Sequence, residues 1–79
     1  MPGIQHTSLS EMASGEAATL VDFNGGRAVN HRLAALGLTP GVQVSMVQNI
    51  GHGPLIISVR GTRVALGRGE ALRIIVERH

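Results

Sequence analysis

The chain contains no cysteine, no tryptophan, no tyrosine and, among its 7 basic residues, no lysine. The first absence excludes disulfides, thiolate metal sites and thiol nucleophiles, and it fits a reducing compartment. A single aromatic, Phe23, leaves no stacking platform of the kind that RNA and single-stranded DNA readers use. The arginines are spread without a run and the formal charge is only +2, so charge does not mark a nucleic-acid reader either. Without lysine there is no Gly-x-x-x-x-Gly-Lys-Ser/Thr phosphate cradle, and Gly25-Gly26, Gly51-His52-Gly53 and Gly67-Arg68-Gly69 read as turns. The apolar runs, such as Leu55-Ile56-Ile57 and Ile74-Ile75-Val76, are far short of the roughly 20 residues that cross a bilayer. The N-terminus lacks a charged stretch followed by an apolar one, so no signal peptide is expected and the cytoplasm is the expected location.

A chain of 79 residues has room for one domain, 1–79, with residues 1–6 expected as a loose tail. Its core must be filled by Val, Leu, Ile, Met and Ala. Ser8-Leu9-Ser10-Glu11 has capping-box spacing, and one helical turn there would press Leu9 and Met12 on the core before Gly15 ends it. Residues 17–23 read as a first strand, with Val21 and Phe23 expected inward. Asn24 is a candidate cap for a helix over 27–36, whose apolar positions Val29, Leu33 and Leu36 repeat at i, i+4 and i+7.

The stretch from Arg32 to Gly41 organises the rest. Gly37 is the expected left-handed C′ residue, which makes Leu33 and Leu38 the apolar pair of a Schellman ending. Pro40-Gly41 then reads as a turn, after which the period becomes two. Val42, Val44 and Met46 alternate with polar residues, residues 49–54 form a loop, and Leu55, Ile57 and Val59 lead through Gly61 into a hairpin with residues 63–66. Residues 67–70 break the pattern with a possible short helical turn, and Leu72, Ile74 and Val76 form a last strand. Five short strands with one inserted helix imply a mainly β chain, and closure into a small SH3-like barrel is the economical way to bury so short a sheet.

Two blocks carry a family resemblance. Arg32-Leu33-x-x-Leu36-Gly37-Leu38-Thr39-Pro40-Gly41, followed by Val59-Arg60-Gly61-x-Arg63-x-Ala65-Leu66, resembles the FeoA family, with Leu9-Ser10-Glu11 and Gly15 as the matching start. The resemblance implies an SH3-like domain of bacterial ferrous iron uptake, working in the cytosol with a large membrane permease that carries a GTP-binding domain. The same domain type occurs at the end of iron-dependent repressors, but no DNA-reading helix accompanies it here.

The partner surface is expected on Arg32, Leu38, Thr39, Pro40, Gly41, Arg60 and Arg63: the helix needs only its stripe and its stop, which leaves Arg32, Thr39 and Pro40 over, while Arg60 and Arg63, with Arg73, read either as outward positions of strands or as a shared docking set. Of the four histidines no two have ligand spacing, so no dedicated metal site or cofactor is expected. Glu77 and His79, at i and i+2 on one strand face, are weak candidates for adventitious zinc or ferrous iron. Asp22, Glu11, Glu16, Glu70 and Glu77 are isolated acids and no catalytic constellation can be drawn, so an adaptor or regulator that is not an enzyme is the expectation. A metal-responsive or metal-carrying domain is the alternative, and an RNA-binding SH3-like module is a further one.

Overall fold

The computed structural model describes residues 5–78. Six antiparallel strands form one sheet, in which β1 (His6–Ser8), β2 (Ala17–Phe23), β3 (Gln43–Gln48), β4 (Leu55–Val59), β5 (Thr62–Leu66) and β6 (Ile74–Arg78) lie in the order β1-β6-β2-β3-β4-β5. A 3₁₀ turn (Leu9–Glu11) follows β1, α1 (Gly26–Ala35) joins β2 to β3, and α2 (Arg68–Leu72) joins β5 to β6.

The core follows from alternation. In β4 the buried residues Leu55, Ile57 and Val59 alternate with half-buried Ile56 and Ser58, and across the ladder Val64 pairs with Ile57 and Leu66 with Leu55. Val44 and Met46 of β3 and Ile74 and Val76 of β6 complete the same layer. Leu9 and Met12 around the 3₁₀ turn, Leu33 of α1 and Ala71 of α2 cover it, all fully buried. No β1–β5 ladder forms among the described residues, so the expected closed barrel is an open sheet whose remaining core is capped by these helical segments.

Several local readings are corrected. There are six strands, not five: His6, expected in the tail, opens a strand that pairs with β6, His6 opposite Glu77. Residues 1–4 of that expected tail lie outside the described residues. The capping box at Ser8 does not form, because the Ser8 hydroxyl is bonded to that of Ser10 at 2.7 Å instead. In β2 the inward residues are Ala18 and Leu20, while Val21 and Phe23 are half-buried. Leu20 stands opposite Val76, and a register shift between Leu20 and Asp22 breaks the two-residue period.

The α1 cap is Gly25 rather than Asn24. A Cβ at Gly25 would lie 2.8 Å from Val29 Cγ1 and 3.2 Å from Arg73 Cδ, so a larger residue at the cap would have to displace the Val29 side chain. Leu36, expected in the buried stripe, is 39 % exposed because it is the Ccap, where the chain already turns off the helix. Leu72 belongs to α2 and not to the last strand, and its side chain is 64 % exposed.

Candidate functional site: the rim between the helix end and a hairpin turn

The end of α1 follows from three residue types in sequence. Gly37 has φ +93°, Leu38 N–H donates to Leu33 C=O at 3.0 Å, and Gly37 N–H donates to Ala34 C=O at 3.0 Å. These are the two bonds of a Schellman motif, and its apolar pair, Leu33 and Leu38, is fully buried. Pro40 and Gly41 then occupy the centre of a type II turn, closed by Val42 N–H donating to Thr39 C=O at 3.0 Å. The turn is fastened to β2 by Gly41 N–H to Leu20 C=O at 2.7 Å and Leu20 N–H to Val42 C=O at 2.8 Å. Helix end and turn are thereby one rigid piece.

The β4–β5 connection is a two-residue turn in which Arg60 (φ 52°) and Gly61 (φ 78°) are both left-handed, with Val59 and Thr62 paired across it. This is the type I′ geometry whose twist matches that of the flanking strands. Arg60 is the one non-glycine with positive φ among the described residues, a conformation that costs an L-residue roughly 1–2 kcal/mol.

Arg60 Cδ lies 3.8 Å from the position a Cβ on Gly37 would take. The Arg60 side chain therefore reaches the helix end, and two sequence blocks separated by residues 42–58 form one rim. Pro40, Gly41, Arg60 and Arg63 are exposed and Thr39 is half-buried. Leu38 is not part of that surface, since its buried side chain seals the cap. Arg32 is not left over either: Nη1 pairs with Oε2 of Glu70 in α2, although the arginine remains 62 % exposed. Arg60 and Arg63 have no ion-pair partner among the described residues, so the rim presents basic charge beside the partially negative carbonyl end of α1.

A second cluster had no signal in the sequence. Asn49 Nδ2 donates to Ser10 C=O at 3.1 Å and to Met12 C=O at 2.7 Å. Its Oδ1 accepts from Gly51 N–H at 3.2 Å and from Arg68 Nη2 at 2.9 Å, while Arg68 Nη1 reaches Gly53 C=O at 3.1 Å. Every capacity of the amide is used, and the loop is clamped to the 3₁₀ turn with Ile50 exposed.

Of the metal candidates, His79 lies outside the described residues, and Glu77 Oε1 faces His6 Nε2 at 3.6 Å across the β1–β6 pair. Among the described residues no three His, Cys, Asp or Glu side chains group around a common point, and no pocket is formed. The acids serve local ends: Glu70 Oε1 accepts Gly67 N–H at 3.2 Å to cap α2, and Asp22 Oδ1 accepts Phe23 N–H at 2.8 Å. Among the described residues no helix is long and apolar enough to cross a membrane.

Comparison with known proteins gives the chain its family. The FeoA domain model matches residues 7–78, which includes both rim blocks. The chain belongs to the FeoA family. A relative from Methanocaldococcus jannaschii, named "Putative Fe(2+) transport protein A", is 35 % identical over 63 residues, covering 80 % of this chain and 76 % of its own. A crystal structure of an iron uptake regulatory protein, FeoA, superposes with a TM-score of 0.90 at 37 % identity, over 95 % of this chain and 100 % of that one. FeoA of Stenotrophomonas maltophilia, described as a prokaryotic SH3 domain protein and complexed with zinc, matches with a TM-score of 0.79 at 33 % identity, over 89 % and 88 % of the two chains. The chain is thus a FeoA-type ferrous iron transport accessory protein with an SH3-like fold.

Proposed function

We propose that this FeoA protein works in the cytoplasm as a non-enzymatic regulator of ferrous iron uptake, binding the cytosolic region of a FeoB-type, GTP-dependent iron permease and carrying no resident cofactor. The observation that carries this reading is the meeting of Arg60 with Gly37, which joins the two family blocks into one exposed rim. The rim is pre-organised: a Schellman end, a type II turn and a type I′ turn each hold it in one shape, so little ordering entropy is lost when a partner docks. Its unpaired Arg60 and Arg63 favour an acidic partner surface.

The test is direct binding of the purified protein to the permease's cytosolic region, with and without GTP. Saturable binding that weakens when Arg60 and Arg63 are both changed to Glu supports the reading. Absence of binding in both nucleotide states, by a protein with a folded spectrum, overturns it. Calorimetric titration with ferrous iron addresses the metal-carrying alternative, for which stoichiometric micromolar binding without partner would be the signature.

A further inference from the structure

Among the described residues β5 ends the sheet, paired with β4 and with no other strand. The two-residue turn makes Val59 and Thr62 a hydrogen-bonded pair, so Thr62, Val64 and Leu66 exchange backbone bonds with β4. Arg63 and Ala65 consequently turn their N–H and C=O groups away from the sheet. No other described backbone group bonds them, and both residues are exposed. The β4–β5 ladder runs through all five residue pairs without a register shift, and β5 holds no proline. The opposite edge, β1, offers only three residues.

Charge says what fits there. β4 and β5 contain no acid, Arg63 sits on the edge strand itself and Arg60 at its turn, and neither is neutralised by an ion pair among the described residues. A second copy adding through the same edge would bring two Arg60–Arg63 pairs together, which like-charge repulsion opposes. An acidic strand would meet both arginines with charge-assisted bonds.

We propose that β5 is completed by an extended acidic segment of the partner, which adds as a seventh strand, bonds the outward backbone groups of Arg63 and Ala65, and sets carboxylates against Arg63 and Arg60. This rests on the reading that the protein acts by docking on the permease, and names the mode of docking. A lone arginine on an edge also serves to deter aggregation, and that bland role makes no specific strand bonds.

The experiment uses the full chain, isotope-labelled, titrated with a capped hexapeptide Glu-Val-Glu-Val-Glu-Val and with its Lys-Val counterpart. The acidic peptide is expected to shift the Arg63 and Ala65 amides and to slow their hydrogen exchange at about 1 mM, a concentration suited to so short a contact. Arg63→Glu is expected to weaken binding roughly tenfold or more, the scale of a lost charge-assisted bond. Ala65→Pro removes one outward N–H and keeps the ladder to β4, as proline is tolerated on edge strands whose N–H faces solvent. It should abolish the exchange protection; if that variant does not fold, the Arg63→Glu and amide-exchange results still decide. No shift with the acidic peptide, equal binding of the lysine peptide, or shifts without slowed exchange at Arg63 and Ala65 overturns strand addition, as does a dimer in light scattering that Arg63→Glu disrupts. Retained binding of the permease's cytosolic region by Ala65→Pro protein would sink strand addition and leave the accessory role standing. Binding of the peptide without binding of that region would do the reverse.

Discussion

Leu33 and Leu36 are three positions apart on one helix and differ sharply in what they contribute. Leu33→Ala removes a fully buried side chain and should cost about 2–5 kcal/mol, a large part of a small domain's stability. Leu36→Ala, at the partly exposed Ccap, should cost less than about 1.5 kcal/mol. Denaturant titration of both variants checks the pair, and similar losses would mean that the cap is not arranged as described. Asn49→Ala should cost about 1–3 kcal/mol, because the Ser10 and Met12 carbonyls lose their donor at a half-buried site. Thermal unfolding reads that loss, and a change below about 0.5 kcal/mol would show that water replaces the amide. The two positions also show what can be read from a chain. The Leu33, Gly37 and Leu38 seal was legible because its chemistry closes within six residues. Asn49 was not, since its partners Ser10 and Met12 are 39 and 37 positions away and nothing local announces them.

α1 is held at both ends by the α2–β6 corner. Near its start, Asn24 N–H donates to Arg73 C=O at 2.7 Å, and in its last turn Arg32 pairs with Glu70. Arg32 is largely in solvent and Glu70 partly so, and a double-mutant cycle with Arg32→Ala and Glu70→Gln should give a coupling of about 0.2–1 kcal/mol that shrinks at high salt. The cycle is needed because Glu70 also caps α2 through Gly67 N–H. A coupling indistinguishable from zero at low salt would remove the brace. Among the strands, β3, β4 and β5 were visible as alternation. β1 was not, because His-Thr-Ser carries no apolar residue and is recruited only by the free side of β6. The inverted face of β2 has the same kind of origin: Leu20 is placed by Val76 across the ladder, and the bulge after it is a property of the pair rather than of either strand.

At the scale of the whole molecule, one small aliphatic core supports a surface that includes the exposed rim where α1 ends and the β4–β5 turn begins. The core and the helix stop could be anticipated from the chain; the junction could not, because it depends on the Arg60 side chain lying beside Gly37, which only the fold brings about. With His6 and Glu77 as the sole such pair in the salt-bridge geometry of the described residues, stoichiometric zinc should leave the melting temperature nearly unchanged. A large stabilisation abolished by His6→Ala would contradict that expectation. The role of the rim is most directly measured by amide chemical-shift mapping of the labelled protein against the permease's cytosolic region. The expected result is a single set of shifted amides running from Arg32 to Gly41 and from Arg60 to Ala65, lost in the Arg60→Glu/Arg63→Glu protein. Shifts that leave both segments untouched and gather instead on the loop around Ile50 would contradict it.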